Sequence, residues 1–268
     1  MSRIKACFER LAREGKKALV SFVTAGDPNA ETTVPLLHGL VAAGADIIEL
    51  GVPFSDPMAD GPVIQRASER ALAAGISLKG IFEMASAFRA QDDETPLILM
   101  GYANPIEVMG YRQFAREAAE AGVDGVLTVD LPLEEATPLL EAIAEYDIDP
   151  IFLLALNTGS ERIARISRQG RGFLYYVSLK GVTGAANLDI DSVARKLTEI
   201  RKHTPLPIGV GFGVKDGESA AKVAKIADAV VIGSVLVSRV EALAETPERI
   251  PKEAPTIVAE MRRAMDGA

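Results

Sequence analysis

Along this chain, short apolar and β-branched runs alternate with longer segments in which apolar positions recur every three or four residues. The short runs fall at 18–23, 47–50, 97–101, 125–129, 151–154, 174–177, 208–210 and 229–232. Each is almost wholly apolar, the mark of a parallel strand covered on both faces. Helical periodicity is clearest at 33–43, 65–74, 114–121, 133–146, 161–168, 190–202 and 219–227. Ala42-Ala43-Gly44-Ala45-Asp46 and Glu120-Ala121-Gly122-Val123-Asp124 repeat one junction. Each predicts a helix stopped by a glycine just past its end, one polar residue, and then a strand. Ile226-Ala227-Asp228-Ala229 is a shorter version without the glycine.

Eight strands alternating with helices predict an α/β fold, a single (β/α)8 TIM barrel over residues 1–268. A doubly wound open sheet is the rival and usually has fewer strands. Extra helices are expected at 4–13, at 78–89 after the second strand, and at 256–265 after the eighth. No linker or low-complexity stretch divides the chain.

Composition narrows the chemistry. The 268 residues are 48% apolar and carry a formal charge of −8, so no basic face for nucleic acid or anionic membranes is implied. Cys7 is alone, and His38 and His203 are too far apart for a helical metal pair. A His/Cys metal site is not expected, so carboxylates must handle protons. Trp is absent and aromatics are 5%, which argues against base-stacking platforms. There is no apolar run of membrane-spanning length and no signal-peptide start, which predicts a soluble cytoplasmic protein.

One carboxylate is out of place. Glu49 stands near the end of the apolar run Ile47-Ile48-Glu49-Leu50, and a loop rich in Gly, Pro, Ser and Asp follows, carrying Asp60. A charge in a buried strand must be desolvated, so such a Glu needs a reason. Barrel chemistry sits where strands end and the following loops begin. Two carboxylates there can divide acid and base roles if their environments separate their pKa values. The plainer alternatives are that Glu49 caps a helix or pairs with an Arg, and that Asp60 is an ordinary loop residue. Glycines form a second constellation: Gly181-Val182-Thr183-Gly184 after the sixth strand, Gly209-Val210-Gly211-Phe212-Gly213 on the seventh, and Gly233-Ser234 after the eighth. They are either turn glycines or a phosphate cradle, with a helix N-terminus supplying its dipole. Phe22, Leu127, Phe152, Leu153, Tyr175 and Phe212 are core or pocket wall. Tyr102 could line a pocket, Asn104-Pro105 reads as a turn, and the Lys215–Glu218 charges read as solvated surface.

At Leu50-Gly51-Val52-Pro53-Phe54-Ser55-Asp56-Pro57-Met58-Ala59-Asp60-Gly61-Pro62 the pattern becomes specific. Together with Tyr175-Tyr176-Val177-Ser178, Gly181-Val182-Thr183-Gly184 and Gly209-Val210-Gly211-Phe212-Gly213, the chain resembles the tryptophan synthase alpha-subunit family from about Ile4 to its tail. The resemblance implies a lyase cleaving indole-3-glycerol phosphate to indole and glyceraldehyde 3-phosphate. It implies Glu49 as the acid that protonates the indole carbon and Asp60 as the group that accepts or stabilises the indole N–H proton; a raised pKa is expected for Glu49. It implies Gly184, Gly213, Gly233 and Ser234 around the phosphate, with Phe22, Tyr102, Leu127, Tyr175, Thr183 and Phe212 at or near the indole pocket. No cofactor or metal is implied for this chain. Pyridoxal phosphate belongs to a beta subunit that receives the indole, in an alpha2-beta2 heterotetramer whose contact includes Asp56 and Pro57. A free-standing lyase that releases indole, and a barrel kept mainly as an activator of its partner, are the other readings. The chain departs from the family pattern at Val63, at Lys180 and at Ala155-Leu156-Asn157-Thr158-Gly159.

Overall fold

The computed structural model describes residues 2–177, 189–211 and 213–267. Thr183, Gly184, Lys180 and Phe212 therefore lie outside the described residues. The chain opens with α1 (Arg3–Arg13), β1 (Ala18–Thr24), α2 (Ala30–Ala42) and β2 (Ile47–Gly51). Next come α3 (Pro62–Ala73), α4 (Leu78–Arg89), β3 (Leu97–Gly101), α5 (Ala103–Met109), α6 (Tyr111–Glu120) and β4 (Gly125–Thr128). The middle holds α7 (Thr137–Ala144), β5 (Asp149–Pro150), β6 (Phe152–Ala155), α8 (Ser160–Gln169) and β7 (Leu174–Val177). The last third holds α9 (Ile190–Ile200), β8 (Ile208–Gly211), α10 (Gly217–Ala224), β9 (Ala229–Ile232), α11 (Ser234–Ala242), α12 (Ile250–Glu253) and α13 (Pro255–Asp266).

All the strand pairs are parallel, in the order β5-β4-β3-β2-β1-β9-β8-β7-β6. The expected fifth strand, 151–154, is in fact two pieces, Asp149–Pro150 and Phe152–Ala155. The first pairs with β4 and the second with β7, so this one extended segment closes the barrel by changing neighbour at Ile151. The fold expectation of a TIM barrel holds; its sheet is a nearly closed ring of nine short pieces in place of eight strands.

Strand side chains alternate between two apolar environments. Ala18, Val20, Ile47, Ile98, Leu127, Tyr175 and Val231 fill the barrel interior, and Ile4, Cys7 and Leu11 of α1 plug its lower end. Leu19, Val23, Ile48, Leu50, Leu99 and Val210 face the surrounding helices. Each fully buried Leu, Ile or Val contributes roughly 1.5–3 kcal/mol.

Both predicted glycine junctions are Schellman caps. Ala45 N donates to Leu40 O and Gly44 N to Val41 O; Val123 N donates to Ala118 O and Gly122 N to Ala119 O. Gly44 and Gly122 have φ of 105° and 79°, which a side chain would resist. The aspartate that follows has a use the pattern did not show. The carboxylates of Asp46, Asp124 and Asp228 accept from the backbone N–H of Leu19, Leu97 and Ile208, at 3.0, 2.8 and 3.0 Å. Each thereby satisfies a donor at the start of the neighbouring strand, at the end of the barrel away from the chemistry.

Three local expectations are corrected. Asn104-Pro105 is no turn but part of α5, where Pro105 occupies the first helical turn and its missing N–H goes unneeded. The helix expected at 133–146 spans only Thr137–Ala144; Pro138 near its start blocks extension backwards, and 132–136 form turns. Asp216, read as solvated surface, instead caps α10, accepting from Ser219 N at 2.8 Å.

Candidate active site

The period-two geometry of β2 sends Ile48 and Leu50 outward and Glu49 into the barrel. Phe22 of β1 and Ile98 of β3 flank Glu49 at the same level. Glu49 is 0% exposed, and neither carboxyl oxygen has a hydrogen-bond partner among the described residues. It neither caps a helix nor pairs with an Arg there, so the two plainer readings of this residue fail. Burial, with no opposing charge, pushes its pKa from 4.5 up to about 8. At neutral pH Glu49 is a protonated acid.

Asp60 reaches the same mouth from the loop between β2 and α3. The loop is held by its own turns, Met58 N to Asp56 O at 2.8 Å and Asp60 N to Pro57 O at 3.0 Å. Gln65 of α3 donates to the carbonyls of Pro57 and Asp60 at 3.3 and 2.9 Å. Tyr102, at the start of α5, accepts from Ala59 N and donates its hydroxyl to the Asp60 carboxylate, both at 3.0 Å. The Phe54 ring lies 5.1 Å from the Tyr102 ring. Burial pushes the Asp60 pKa up, and the Tyr102 hydrogen bond pulls it back. The two carboxyl groups thus have different surroundings: one fully buried with no partner among the described residues, the other half-buried with a hydroxyl donor.

A narrow cleft lies here, lined among others by Phe22, Thr24, Asp60, Met100, Tyr102 and Val129. Larger hollows exist on the outside, including one of about 1030 Å³ beside α7 and α8, but no barrel strand contributes to it and both of its acids, Glu134 and Glu141, are exposed. The barrel mouth is the better candidate on chemistry.

Tyr175 of β7 is buried inside the barrel and close enough to feel the Glu49 charge, which adds to burial in raising its own pKa. Its ring lies so near Gly211 of β8 that a Cβ there would stand 2.6 Å from Tyr175 Cζ. Gly211→Ala is expected to cost about 1–3 kcal/mol in denaturant unfolding and to reduce activity, because a stiff, enclosed ring must move beside Glu49. Unchanged stability and activity would mean that Tyr175 has room to swing clear.

Next to β1 in the sheet, Gly233 follows β9 and Ser234 opens α11 with no side-chain cap. A Cβ on Gly233 would meet Phe22 at 3.7 Å, so this helix start and the Asp60 cleft share the Phe22 wall. Gly213 follows β8 with φ of 81°, a conformation suited to glycine. Leu127 sits deeper, fully buried among interior side chains, and Val129 two residues on lines the cleft. Phe22, Asp60 and Tyr102 line the cleft together; Glu49, beside Phe22 in the sheet register, and Tyr175 lie buried inside the barrel and do not line it, and Gly213, Gly233 and Ser234 follow neighbouring strands.

Residue reasoning missed Thr24, Ser68, Gln65 and Met100. Thr24 was within reach of it, being two residues after Phe22 on the same face of β1. Gln65 carried no signal, since its bonds are to loop carbonyls. Among the departures, Val63 packs on the Phe22–Ala67–Val237 cluster, and Thr158 closes the 155–159 turn by accepting from Ala155 N at 2.9 Å.

The model of the family described as tryptophan synthase alpha chain matches residues 8–266. A tryptophan synthase alpha chain of Thioalkalivibrio sulfidiphilus is 59% identical, over 99% of this chain and 100% of its own length. That of Alkalilimnicola ehrlichii is 57% identical, over 100% and 97%. Among solved structures, the tryptophan synthase alpha subunit of Legionella pneumophila superimposes with a TM-score of 0.93 at 42% identity, covering 100% of both chains. A chain from tryptophan synthase of M. tuberculosis, in an aminoacrylate-bound form, gives 0.86 at 32% identity, over 99% and 100%.

Proposed function

The chain belongs to the tryptophan synthase alpha-chain family, and from that premise we propose how its residues perform the alpha reaction. It is a lyase that cleaves indole-3-glycerol phosphate into indole and glyceraldehyde 3-phosphate. The family implies a beta-subunit partner.

In our reading, Glu49 donates its proton to the ring carbon that bears the glycerol chain. Positive charge then spreads to the ring nitrogen, where the Asp60 carboxylate stabilises the N–H. The bond to the chain breaks, its electron pair neutralises the ring, and the chain's hydroxyl loses its proton as the aldehyde forms. That proton returns to Glu49, so the acid ends as it began. The requirement is one protonated and one ionised carboxyl group around one ring. The observation that carries this assignment is Glu49 itself, fully buried inside the barrel with no partner among the described residues and a pKa near 8. Nothing in the barrel's packing calls for it.

Phe22, Tyr102 and Tyr175 would enclose the ring, with Leu127 behind them. Gly213, Gly233 and Ser234 would hold the phosphate through backbone N–H groups and the start of α11. Thr183, Phe212 and Gly184 are proposed from their motifs alone. The steps use side chains only, and we assign no cofactor to this chain; pyridoxal phosphate belongs to the beta partner. We further infer an alpha2-beta2 assembly, one folding domain over 1–268 and a cytoplasmic location. In support of the last, no single helix among the described residues is long and apolar enough to cross a membrane.

The test is indole release from indole-3-glycerol phosphate by the chain alone and with a beta subunit. Release by the chain alone, accelerated by the partner, is the expected result; no release in either case would overturn the reading. Rates indifferent to the partner would favour a free-standing lyase, which the family relationship does not.

A further inference from the structure

Two helices carry the two ends of the proposed site, and ion pairs tie them together. α3 begins right after Asp60 and Gly61, and α11 begins right after Gly233. Where they meet, Phe22, Ala67 and Val237 form a small buried cluster, so the wall of the cleft is also the contact between the helices. Beside it, Arg70 of α3 donates to both carboxylate oxygens of Asp27, just past β1, at 2.7 and 2.9 Å. The same guanidinium donates to Glu241 of α11 at 2.8 Å. Arg66, one turn earlier on α3, grips Glu241 with two donors at 2.7 and 2.8 Å. Exposed ion pairs usually contribute little. This set differs because its forks are bidentate, which fixes geometry, and because Asp27 is only 2% exposed.

We propose that Arg70 and Glu241 are positioning residues that hold α3 against α11 and so set the span between Asp60 and the phosphate-facing start of α11. This rests on assigning Asp60 to the ring end of the substrate and Gly233–Ser234 to its phosphate end. Indole-3-glycerol phosphate joins both ends through a short chain, so its reacting carbon is placed only when both ends seat together. A displacement of about 1 Å arising far from the chemistry can cost about a hundredfold in rate. Each product carries one end only. Indole and glyceraldehyde 3-phosphate therefore tolerate a shift between the helices that the intact substrate does not.

The experiment uses the full chain with its beta subunit. It measures kcat and KM for indole-3-glycerol phosphate, and Kd for each product, in Glu241→Gln and Arg70→Lys. Glu241→Gln releases α11 and leaves the buried Asp27–Arg70 pair intact, so it decides alone if Arg70→Lys fails to fold. We expect kcat to fall about tenfold or more, with both product affinities close to wild type. Unchanged kcat, or product affinities that fall in step with it, would overturn the proposal, the second outcome marking a merely structural role. Ser234→Asp is the control for the underlying site: if it leaves glyceraldehyde 3-phosphate affinity intact, the phosphate-end assignment fails, whatever Glu241→Gln does.

Discussion

Glu49→Gln is expected to lower kcat for indole formation by about three orders of magnitude, within the usual range for loss of a general acid. The substitution keeps shape and removes the proton. The same variant should become more stable relative to the wild type as pH rises. Folded Glu49 titrates near 8 and unfolded Glu near 4.5, so the unfolded chain gives up this proton first. Below about pH 4.5 both states are protonated and Glu49 costs the fold no charge. Between there and pH 8 the wild type loses stability progressively, by a few kcal/mol at about 1.4 kcal/mol for each tenfold in the ionisation constant. Gln has no such proton. Urea unfolding at pH 5 and pH 9 should therefore show a gap between variant and wild type that widens at the higher pH. In the active wild type, rate should fall as pH rises through about 8, when the acid is lost. A Gln variant with full activity would remove Glu49 from the chemistry; a pH-independent gap would show that its buried environment does not raise its pKa.

Asp60→Asn should lower kcat/KM by about 10²–10⁴-fold, because the ring N–H loses an ionised partner at the moment positive charge builds. Tyr102→Phe should cost less, about tenfold, since it removes one hydrogen bond to a charged group worth about 1.5–3 kcal/mol and leaves the carboxylate. The two variants also differ in their pH profiles. Activity needs Asp60 ionised, so it falls as pH drops through the Asp60 pKa. The Tyr102 hydroxyl favours the ionised form. Its removal should move this acidic limb to higher pH, whereas Asp60→Asn abolishes it. Steady-state rates between pH 5 and 9 would distinguish the two; an unmoved limb in Tyr102→Phe would mean that the hydroxyl does not tune Asp60.

Much of this was legible without coordinates, for reasons that are local. Parallel strands buried on both faces must be apolar throughout, so β1, β2, β3 and β9 stood out as runs. Helices that stop at a left-handed glycine declared themselves at Gly44 and Gly122. Glu49 was visible because desolvating a carboxyl group is costly enough that one inside an apolar run demands a use. Prolines mislead in two opposite ways: Pro105 reads as a turn but sits in a first helical turn, where it breaks nothing, whereas the helical pattern runs through Pro138 although it marks the start of α7. The split of the fifth strand was hidden, because which neighbour a strand pairs with is a property of the closed ring.

Local chemistry along the chain specifies the alternation of strands and helices, the glycine stops, the loop that carries Asp60 and the presence of an acid in a strand. Each depends on chemistry within a few residues of the position concerned. Tertiary structure alone decided that Glu49 has no partner among the described residues, that Tyr102 serves Asp60 from 42 residues away, and that Arg70 joins Asp27 to Glu241. Those are facts about desolvation and distance between separate elements, which exist only once the barrel closes.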